Sequence, residues 1–338
     1  MAAETKFRMH REIVLTLYQR LLDRSPGSQE AAYWLEFLQN NSFADTYDAF
    51  LSSAEFKSRQ GVQPGHPVGH YYSPVVDPRT IDVAKLDSPL SASDFEILGL
   101  SLPRMQKFWQ QHLHIIASST FPRTATSGHR YYLDNPVFSY ADALMLRTML
   151  IVYKPSRVIE IGGGFSTAVM LDTADECGLK TRFTIVDPYP ETLRTLLLPR
   201  DLTNVEIVEK PVQHVDLALF SPLCEYDILF IDSTHVLKTQ SDVCREFFDI
   251  LPSLKKGVLI HFHDIFYPFE YPRSWIFDAR YSWNELYGLR LFLMYNKRFE
   301  TLFFNNMFGK LEEQTIQETC PLYLENIGGS FWMRKLAE

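Results

Sequence analysis

Long apolar runs, paired cysteines and an excess of basic residues are all missing from this 338-residue sequence. No run approaches the ~20 apolar residues that a membrane-spanning helix needs, and the N-terminal segment has no hydrophobic signal region. The four cysteines lie far apart, with no C-x-x-C pair, which argues against a zinc site and predicts reduced, mostly packed thiols. We therefore expect a cytoplasmic protein with no membrane span.

The charge balance is acidic, with a formal net charge of -8. A polyanion would be repelled at long range, so we expect no nucleic-acid partner. The hydrophobic fraction of 46% and the charged fraction of 22% are typical of a globular protein. A chain of this length can form one large domain or two smaller ones.

Residues 1–61 carry apolar side chains at helical spacing, interrupted by a Ser25-Pro-Gly-Ser28 break. Two S-x-x-[DE] capping boxes begin at Ser42 and Ser52. The runs 18–27, 32–35 and 50–56 resemble a small bacterial helical domain of unknown function, related to phycobilisome linkers and appended to glycan-associated enzymes. This resemblance assigns no chemistry. We expect a small all-helical domain that docks an unidentified protein or adds stability.

Residues 62–150 begin with a proline-rich connector, in which a continuous helix or a central strand is excluded. Helical patterns return at 94–102, 105–117 and 140–153. We interpret this segment as a connector followed by a helical cap that contributes to the substrate site. Tyr132 and Asn135 are candidates for its wall.

From residue 151 to residue 338, short apolar strands alternate with helices. This alternation is typical of a parallel sheet covered on both faces. We therefore predict an α/β fold with a doubly wound Rossmann-like sheet, next to the small N-terminal all-helical domain. The predicted strands are 157–161, 183–187, 205–208, 226–232 and 258–263, with two late strands at 300–304 and 330–335.

The first predicted strand ends in a glycine turn, Val158-Ile-Glu-Ile-Gly-Gly-Gly-Phe-Ser-Thr167. Thr167 occupies the position where dinucleotide-binding turns carry a third glycine. The pattern E-x-G-x-G-x-S resembles motif I of class I S-adenosylmethionine-dependent methyltransferases. The resemblance implies S-adenosylmethionine as the cofactor. The residues that it implies for binding are Glu160, Gly162, Gly163, Gly164 and Ser166.

The second predicted strand ends at Asp187. An acid at this point of a doubly wound sheet can accept the hydroxyl groups of a cofactor ribose. NAD-dependent enzymes use the same device, so Asp187 indicates a nucleoside cofactor without choosing between them. An adenine contact would fall in 209–213, after the third strand.

Acidic and imidazole groups follow the next two strands. Asp232 and His235 come after the fourth strand, and His263 and Asp264 after the fifth. Because these strands are expected to be neighbours, the four side chains should meet at the carboxyl edge of the sheet. His261, two residues back on a buried strand, is expected to be a hydrogen-bonded core histidine.

The segments 231–243, 261–272 and 283–287 resemble a bacterial family of class I methyltransferases, with a similarity that runs from about residue 71 to residue 335. More distantly, they are similar to metal-dependent sugar O-methyltransferases of macrolide biosynthesis. That resemblance implies His235 as general base and Asp232, His263 and Asp264 as metal ligands. His263 replaces an acid of those enzymes. Mg²⁺ prefers oxygen ligands, so imidazole favours Mn²⁺, Fe²⁺ or Zn²⁺ instead, or leaves the site without a metal.

The sequence thus predicts an S-adenosylmethionine-dependent methyltransferase that methylates a hydroxyl group of a small molecule or of a glycan sugar. The aromatic loop 266–275 is expected to wall the acceptor site. Two alternatives stay open, an NAD-dependent oxidoreductase and a non-catalytic binding or assembly protein. A homo-oligomer is compatible with the sequence, and no motif encodes the oligomeric state.

Overall fold

The computed structural model describes residues 2–59 and 65–337. Two compact units make up the chain, Met1–Asp77 and Pro78–Glu338. The second unit therefore contains the helices around 94–153 together with the sheet. In the described residues no helix has the length and apolar character needed to cross a bilayer.

The first unit is helical, as the spacing of its apolar residues predicts. Its core is formed by Val14, Leu17, Tyr18, Leu22, Leu38 and Phe50. The helices are α1 Ala2–Leu21, α2 Ser28–Asn40, α3 Phe43–Leu51 and α4 Ala54–Arg59.

One of the two predicted capping boxes is confirmed. The Ser42 hydroxyl accepts the Asp45 N–H at 3.1 Å, and the Asp45 carboxylate accepts the Ser42 N–H at 3.1 Å. The box predicted at Ser52 is wrong, because Ser52 closes α3 in a helical conformation. The adjacent Ser53 hydroxyl accepts the Phe56 N–H instead, at 3.2 Å. A one-residue shift of this kind arises where two serines compete for the same helix start.

The second unit is built on a seven-stranded sheet in the order β3-β2-β1-β4-β5-β7-β6. The strands β1 to β5 pair in parallel, and β7 pairs antiparallel with both β5 and β6. This confirms the doubly wound sheet and the two late strands. The strands are β1 Arg157–Ile161, β2 Arg182–Val186, β3 Val205–Val208, β4 Ile228–Ile231, β5 Leu259–Phe262, β6 Phe299–Phe304 and β7 Phe331–Lys335.

Helices flank the sheet and bury its apolar faces. The four residues of β4 and the four of β5 are all buried, as expected for strands covered on both sides. The helix α8 is buried along most of its length and belongs to the same core. The helices are α5 Val83–Leu86, α6 Ala92–Leu98, α7 Leu102–Ile116, α8 Ala141–Tyr153, α9 Phe165–Cys177, α10 Glu191–Leu196, α11 Asp242–Arg245, α12 Leu251–Ser253, α13 Arg273–Phe277, α14 Glu285–Leu293, α15 Asn305–Leu311 and α16 Glu313–Thr319.

The segment between β4 and β5 departs from a regular helix. A π-helical turn, Glu246–Ile250, separates α11 from α12. Pro252 follows this turn and has no N–H to donate to the carbonyl of Phe248, which is consistent with a widened turn there. Such turns are often found near functional sites. Here the turn places Glu246 inside the protein, with 0% of its surface exposed.

All four cysteines are free thiols. The expectation that most of them would be packed is wrong. Cys177 and Cys224 are exposed, Cys244 is half-buried, and Cys320 alone is buried.

A buried carboxylate at the start of α8 ties the carboxyl edge of the sheet together. Asp142 accepts hydrogen bonds from the Ser330 N–H at 2.9 Å, the Gly329 N–H at 3.1 Å and the Asn305 amide at 3.0 Å. His263 Nε2 lies 3.3 Å from its other oxygen. Burial favours the neutral acid, but His263 and the hydrogen-bond donors hold the pKa of Asp142 below its usual value.

We expect Asp142→Ala to lower the free energy of unfolding by about 3–5 kcal/mol, because it leaves His263 Nε2 without its carboxylate partner and removes the acceptor of two backbone N–H groups. Urea unfolding followed by fluorescence measures the change. Asp278→Ala, at an exposed position, is the control and should stay within about 0.5 kcal/mol of wild type. Equal effects of the two substitutions would contradict the role given to Asp142.

Candidate active site

A cleft opens at the carboxyl ends of β1, β2 and β4, where the strand order reverses. This is where open α/β sheets bind their ligands. The cleft has a volume of about 300 Å³ and is lined by Gly162, Asp187, Val212, Gln213 and Asp232, among others. Its size lies near the lower end of the ~300–1,000 Å³ typical of ligand pockets. The predicted adenine segment, 209–213, thus contributes to the cleft.

The glycine turn forms one side of this cleft. Gly162 has a φ of 83°, and a Cβ at this position would overlap the backbone carbonyl oxygen of Asp232. Its N–H donates to the Val186 carbonyl at 3.0 Å. At Gly164, in contrast, no atom lies within 4 Å of the place that a Cβ would take. Packing therefore requires glycine at 162, whereas the space at 164 is open.

Glu160 and Ser166, both predicted to bind the cofactor, lie behind the turn. The Glu160 carboxylate accepts hydrogen bonds from the hydroxyl groups of Ser166 and Thr167. The three side chains are at most 3% exposed, and none lines the cleft. Burial raises the pKa of Glu160 to about 8. Thr167, the departure from the dinucleotide pattern, is thus the partner of a buried acid.

Asp187 connects the turn to β2. Its carboxylate accepts the Gly163 N–H at 3.0 Å and the Tyr189 N–H at 2.7 Å. The side chain is half-buried and lines the cleft. This arrangement fixes the carboxylate at the end of β2, in the position that the sequence predicts.

The second group of predicted residues meets at the ends of β4 and β5. His235 Nε2 lies 3.4 Å from Asp232 Oδ1 and 3.4 Å from Asp264 Oδ2. One ligand atom from each of these three residues lies within 4.8 Å of the others. The imidazole is 5% exposed, while 30% of the Asp232 side chain is accessible. Asp232 also lines the cleft, so the two groups of residues share one site.

His263, predicted as a metal ligand, lies between Asp142 on one side and Asp232 and Asp264 on the other. Its Nδ1 lies 3.5 Å from Asp232 Oδ1 and 3.5 Å from Asp264 Oδ1, and its Nε2 faces Asp142. Burial disfavours the charged ring, but the carboxylates of Asp264 and Asp232 raise the pKa of His263 well above its usual value. The set that fits one ion contains His235 instead of His263.

The expectation for His261 is confirmed. The residue is 0% exposed, its Nε2 lies 2.9 Å from Ser330 Oγ, and its ring stacks on Phe230. Burial holds the pKa of His261 well below its usual value. It is a hydrogen-bonded core histidine.

Sequence reasoning missed Glu285, whose carboxylate lies nearer to the His235 ring than those of Asp232 and Asp264. Glu285 Oε2 lies 2.8 Å from His235 Nδ1, and the acid is 1% exposed. Burial opposes the charged ring of His235, but the hydrogen bonds with Asp232 and Glu285 raise its pKa well above the usual value. Four carboxyl groups therefore surround the rings of His235 and His263 at this end of the sheet, those of Asp142, Asp232, Asp264 and Glu285.

Comparisons with known proteins match two parts of the chain to protein families. Residues 159–265 match the model of a methyltransferase domain, and residues 4–80 match a domain of unknown function. The chain is 34% identical over 170 residues to an uncharacterised protein of Archaeoglobus fulgidus, across 47% of this chain and 74% of that protein. The chain belongs to the same family as this archaeal protein, and it contains the domain of a methyltransferase.

Solved structures similar to this chain include the methyltransferase PaMTH1 of Podospora anserina bound to SAH. The two sequences are 15% identical, and the match covers 74% of this chain and 91% of PaMTH1. The TM-score is 0.39. The O-methyltransferase TomG of Streptomyces achromogenes, in complex with SAM, has 12% identity, coverage of 76% and 100%, and a TM-score of 0.38.

We expect Gly162→Ala to destabilise the second unit by about 2–4 kcal/mol, because an unfavourable φ adds to overpacking against Asp232. Gly288→Ala in α14 is the matched control. The nearest atom to a Cβ there is Leu237 Cδ2 at 3.6 Å, an ordinary contact, so alanine should stabilise the helix slightly. Thermal unfolding of both variants measures the difference. A Gly162→Ala protein as stable as Gly288→Ala would contradict the close approach.

Glu160→Gln tests the buried acid. The folded protein binds the Glu160 proton more tightly than the unfolded chain, so this contribution to stability is present below about pH 4.5 and is lost as pH rises through about 8. Glutamine does not titrate. The unfolding temperature of the variant should therefore rise relative to wild type between these two pH values and level off above them. A difference that stays constant with pH would show that Glu160 is not strained by burial.

Proposed function

We propose that the protein methylates a hydroxyl group on a small molecule or on a glycan sugar, with His235 as the general base. The observation that carries this proposal is the placement of His235 at the ends of β4 and β5. Its Nδ1 is held by Glu285 at 2.8 Å, and its Nε2 is directed towards Asp232, which lines the cleft. A hydroxyl group has a high pKa and must lose a proton as it attacks, which is the task of a positioned histidine.

We infer that the cofactor is held by the backbone of Gly162, Gly163 and Gly164 and by Asp187. The residues present fit such a ligand in two respects. The space in front of Gly164 is open, and the cleft carries Asp187 and Asp232 with no basic side chain among its lining residues. S-adenosylmethionine, when bound, supplies an electrophilic methyl group on a cationic sulfur. Glu160 and Ser166 would support the turn from behind.

His235 must be neutral to accept a proton. The same carboxylates that raise its pKa also attract a cationic ligand, and a cation near them favours the neutral ring. Glu285 accepts the hydrogen on Nδ1 in that form, which leaves Nε2 free to take the acceptor proton. The proton then rests on an imidazole that is already flanked by Asp232 and Asp264.

A divalent ion is the second arrangement that the same residues support. Asp232, His235 and Asp264 offer two carboxylates and one imidazole within 4.8 Å. This mixed set suits Mn²⁺, Fe²⁺ or Zn²⁺ better than Mg²⁺. In that arrangement His235 would be a ligand instead of the base, because a single Nε2 cannot serve both purposes.

We infer that the acceptor binds beside a group of aromatic side chains. Trp283 packs against His235 with ring centroids 4.5 Å apart, and Tyr281 stacks on Trp283 at 4.5 Å. Trp275 and Tyr271 continue the group. Flat rings with nearby polar groups suit a sugar or an aryl acceptor. Asn135 is a weaker candidate for this wall, since its carboxamide binds the backbone of its own loop.

Three further proposals concern the whole chain. We propose that the N-terminal helical unit docks an unidentified protein partner or adds stability, and that homo-oligomers form. We also propose a cytoplasmic location, where the four free thiols stay reduced.

The test uses His235→Ala. We expect transfer of labelled methyl from S-adenosylmethionine to the small molecules and glycans of a cell extract to fall roughly 10²–10⁴-fold. Cofactor affinity measured by calorimetry should stay near wild type, because His235 does not line the cleft. His114→Ala, at an exposed position of α7, is the control. Unchanged methyl transfer by His235→Ala would contradict the assignment of His235 as the general base.

The same assay separates the two arrangements. Chelation followed by added Mn²⁺ should leave transfer unchanged when His235 is the base without metal. Loss on chelation and recovery with Mn²⁺ would instead assign His235 to a metal site. Mass spectrometry of the labelled product then identifies the acceptor.

A further inference from the structure

The segment Trp283-Asn284-Glu285, at the start of α14, contacts the loop that carries His235. The His235 carbonyl accepts the Asn284 N–H at 3.0 Å and the Glu285 N–H at 3.1 Å. Both donors lie at the N-terminus of a helix, where backbone N–H groups lack partners within the helix. The end of α14 is thus bound directly to the backbone of the proposed base.

The Asn284 side chain extends this contact to the next part of the loop. Its Oδ1 accepts the Leu237 N–H at 2.6 Å, and its Nδ2 donates to the Leu237 carbonyl at 3.2 Å. One carboxamide therefore pairs with both backbone groups of a single residue. The loop is held at Leu237 as well as at His235.

The remaining two contacts act on the imidazole ring itself. Glu285 Oε2 lies 2.8 Å from Nδ1, and the Trp283 ring packs on the imidazole with centroids 4.5 Å apart. Glu285 Oε1 has no hydrogen-bond partner in the described part of the chain. Among the described residues, the single hydrogen bond of the Glu285 carboxylate is therefore the one with His235.

The backbone of His235 explains why so many contacts are needed. Its φ is 60°, in the left-handed region that residues other than glycine rarely adopt. Such a conformation persists only where the surroundings determine it. Hydrogen bonds to the carbonyl, to the neighbouring backbone and to the ring determine it here.

We propose that Trp283, Asn284 and Glu285 form a positioning clamp that fixes the His235 backbone and ring, so that Nε2 faces Asp232 and Asp264. This inference rests on the proposed function, in which His235 accepts the proton of the substrate hydroxyl. Glu285 is a positioning residue, because it acts through His235 and does not line the cleft. The clamp gives a function to the segment 283–287, which resembles bacterial class I methyltransferases.

The first experiment measures the NMR signals of the His235 ring in the full-length protein. Long-range ¹H–¹⁵N spectra of histidine-labelled protein would be recorded for wild type, Glu285→Gln and the exposed-site control Glu313→Gln, with His235→Asn to assign the His235 signals. We expect the His235 Nδ1 resonance to move in Glu285→Gln and to stay in Glu313→Gln. An unmoved resonance in a folded Glu285→Gln protein overturns the clamp.

Trp283→Leu provides a second variant should Glu285→Gln fail to fold. Removing the indole should shift the His235 Cε1–H resonance, because the ring contact at 4.5 Å is lost. An unchanged shift in this variant likewise overturns the clamp.

The second experiment measures methyl transfer to the cell extract. Glu285→Gln should lower the turnover rate roughly 10–100-fold, as partners of functional histidines do, with the KM for S-adenosylmethionine unchanged. The double variant with His235→Asn should be no slower than His235→Asn alone, because Glu285 acts through His235. A further loss in the double variant would show an independent structural role and overturn the proposal.

The two experiments separate the possible failures. Wild-type transfer by His235→Asn would refute the proposed function, whereas the resonance of Nδ1 would still decide whether Glu285 positions the ring. Transfer lost in His235→Asn but kept in Glu285→Gln would refute the clamp alone.

Discussion

The buried carboxylate of Asp142 is the interaction on which the carboxyl edge of the sheet depends. It receives N–H groups from the start of β7, the amide of Asn305 after β6, and His263 at the end of β5. Burial in a low-dielectric interior makes each of these bonds costly to leave unmade. His263 carries the effect onward, because its other nitrogen faces Asp232 and Asp264. Asp142 lies on α8, before the first sequence motif in the chain. Through Asp142 and His263, α8 thereby contacts the residues of the candidate site.

Much of the architecture could be predicted because it depends on local patterns. Short apolar segments that alternate with helical patterns indicated the strands, and all seven are found within two residues of the expected bounds. The meeting of Asp232, His235, His263 and Asp264 followed from two neighbouring parallel strands. The family model that matches residues 159–265 covers this same region.

The partners of these residues could not be predicted, since they come from distant parts of the chain. Glu285 lies 50 positions from His235, and Asp142 lies 121 positions from His263. No periodicity links such pairs. The direction of the Glu160 side chain was equally hidden, because a glycine motif does not reveal that Ser166 and Thr167 bind the acid from behind. At Ser52 and Ser53 the wrong prediction had a local cause. Either of two adjacent serine hydroxyl groups could cap the start of α4, and the sequence does not show which one does.

The contrast between Gly162 and Gly164 bears on how relatives should be interpreted. The Asp232 carbonyl fills the space where a side chain at 162 would stand, so the fold itself demands glycine there. A homologue that has lost its cofactor and its activity would still retain that glycine. At position 164 packing imposes no such demand. A large side chain at 164 in a relative would therefore be the more informative sign that the protein has given up catalysis while keeping the sheet.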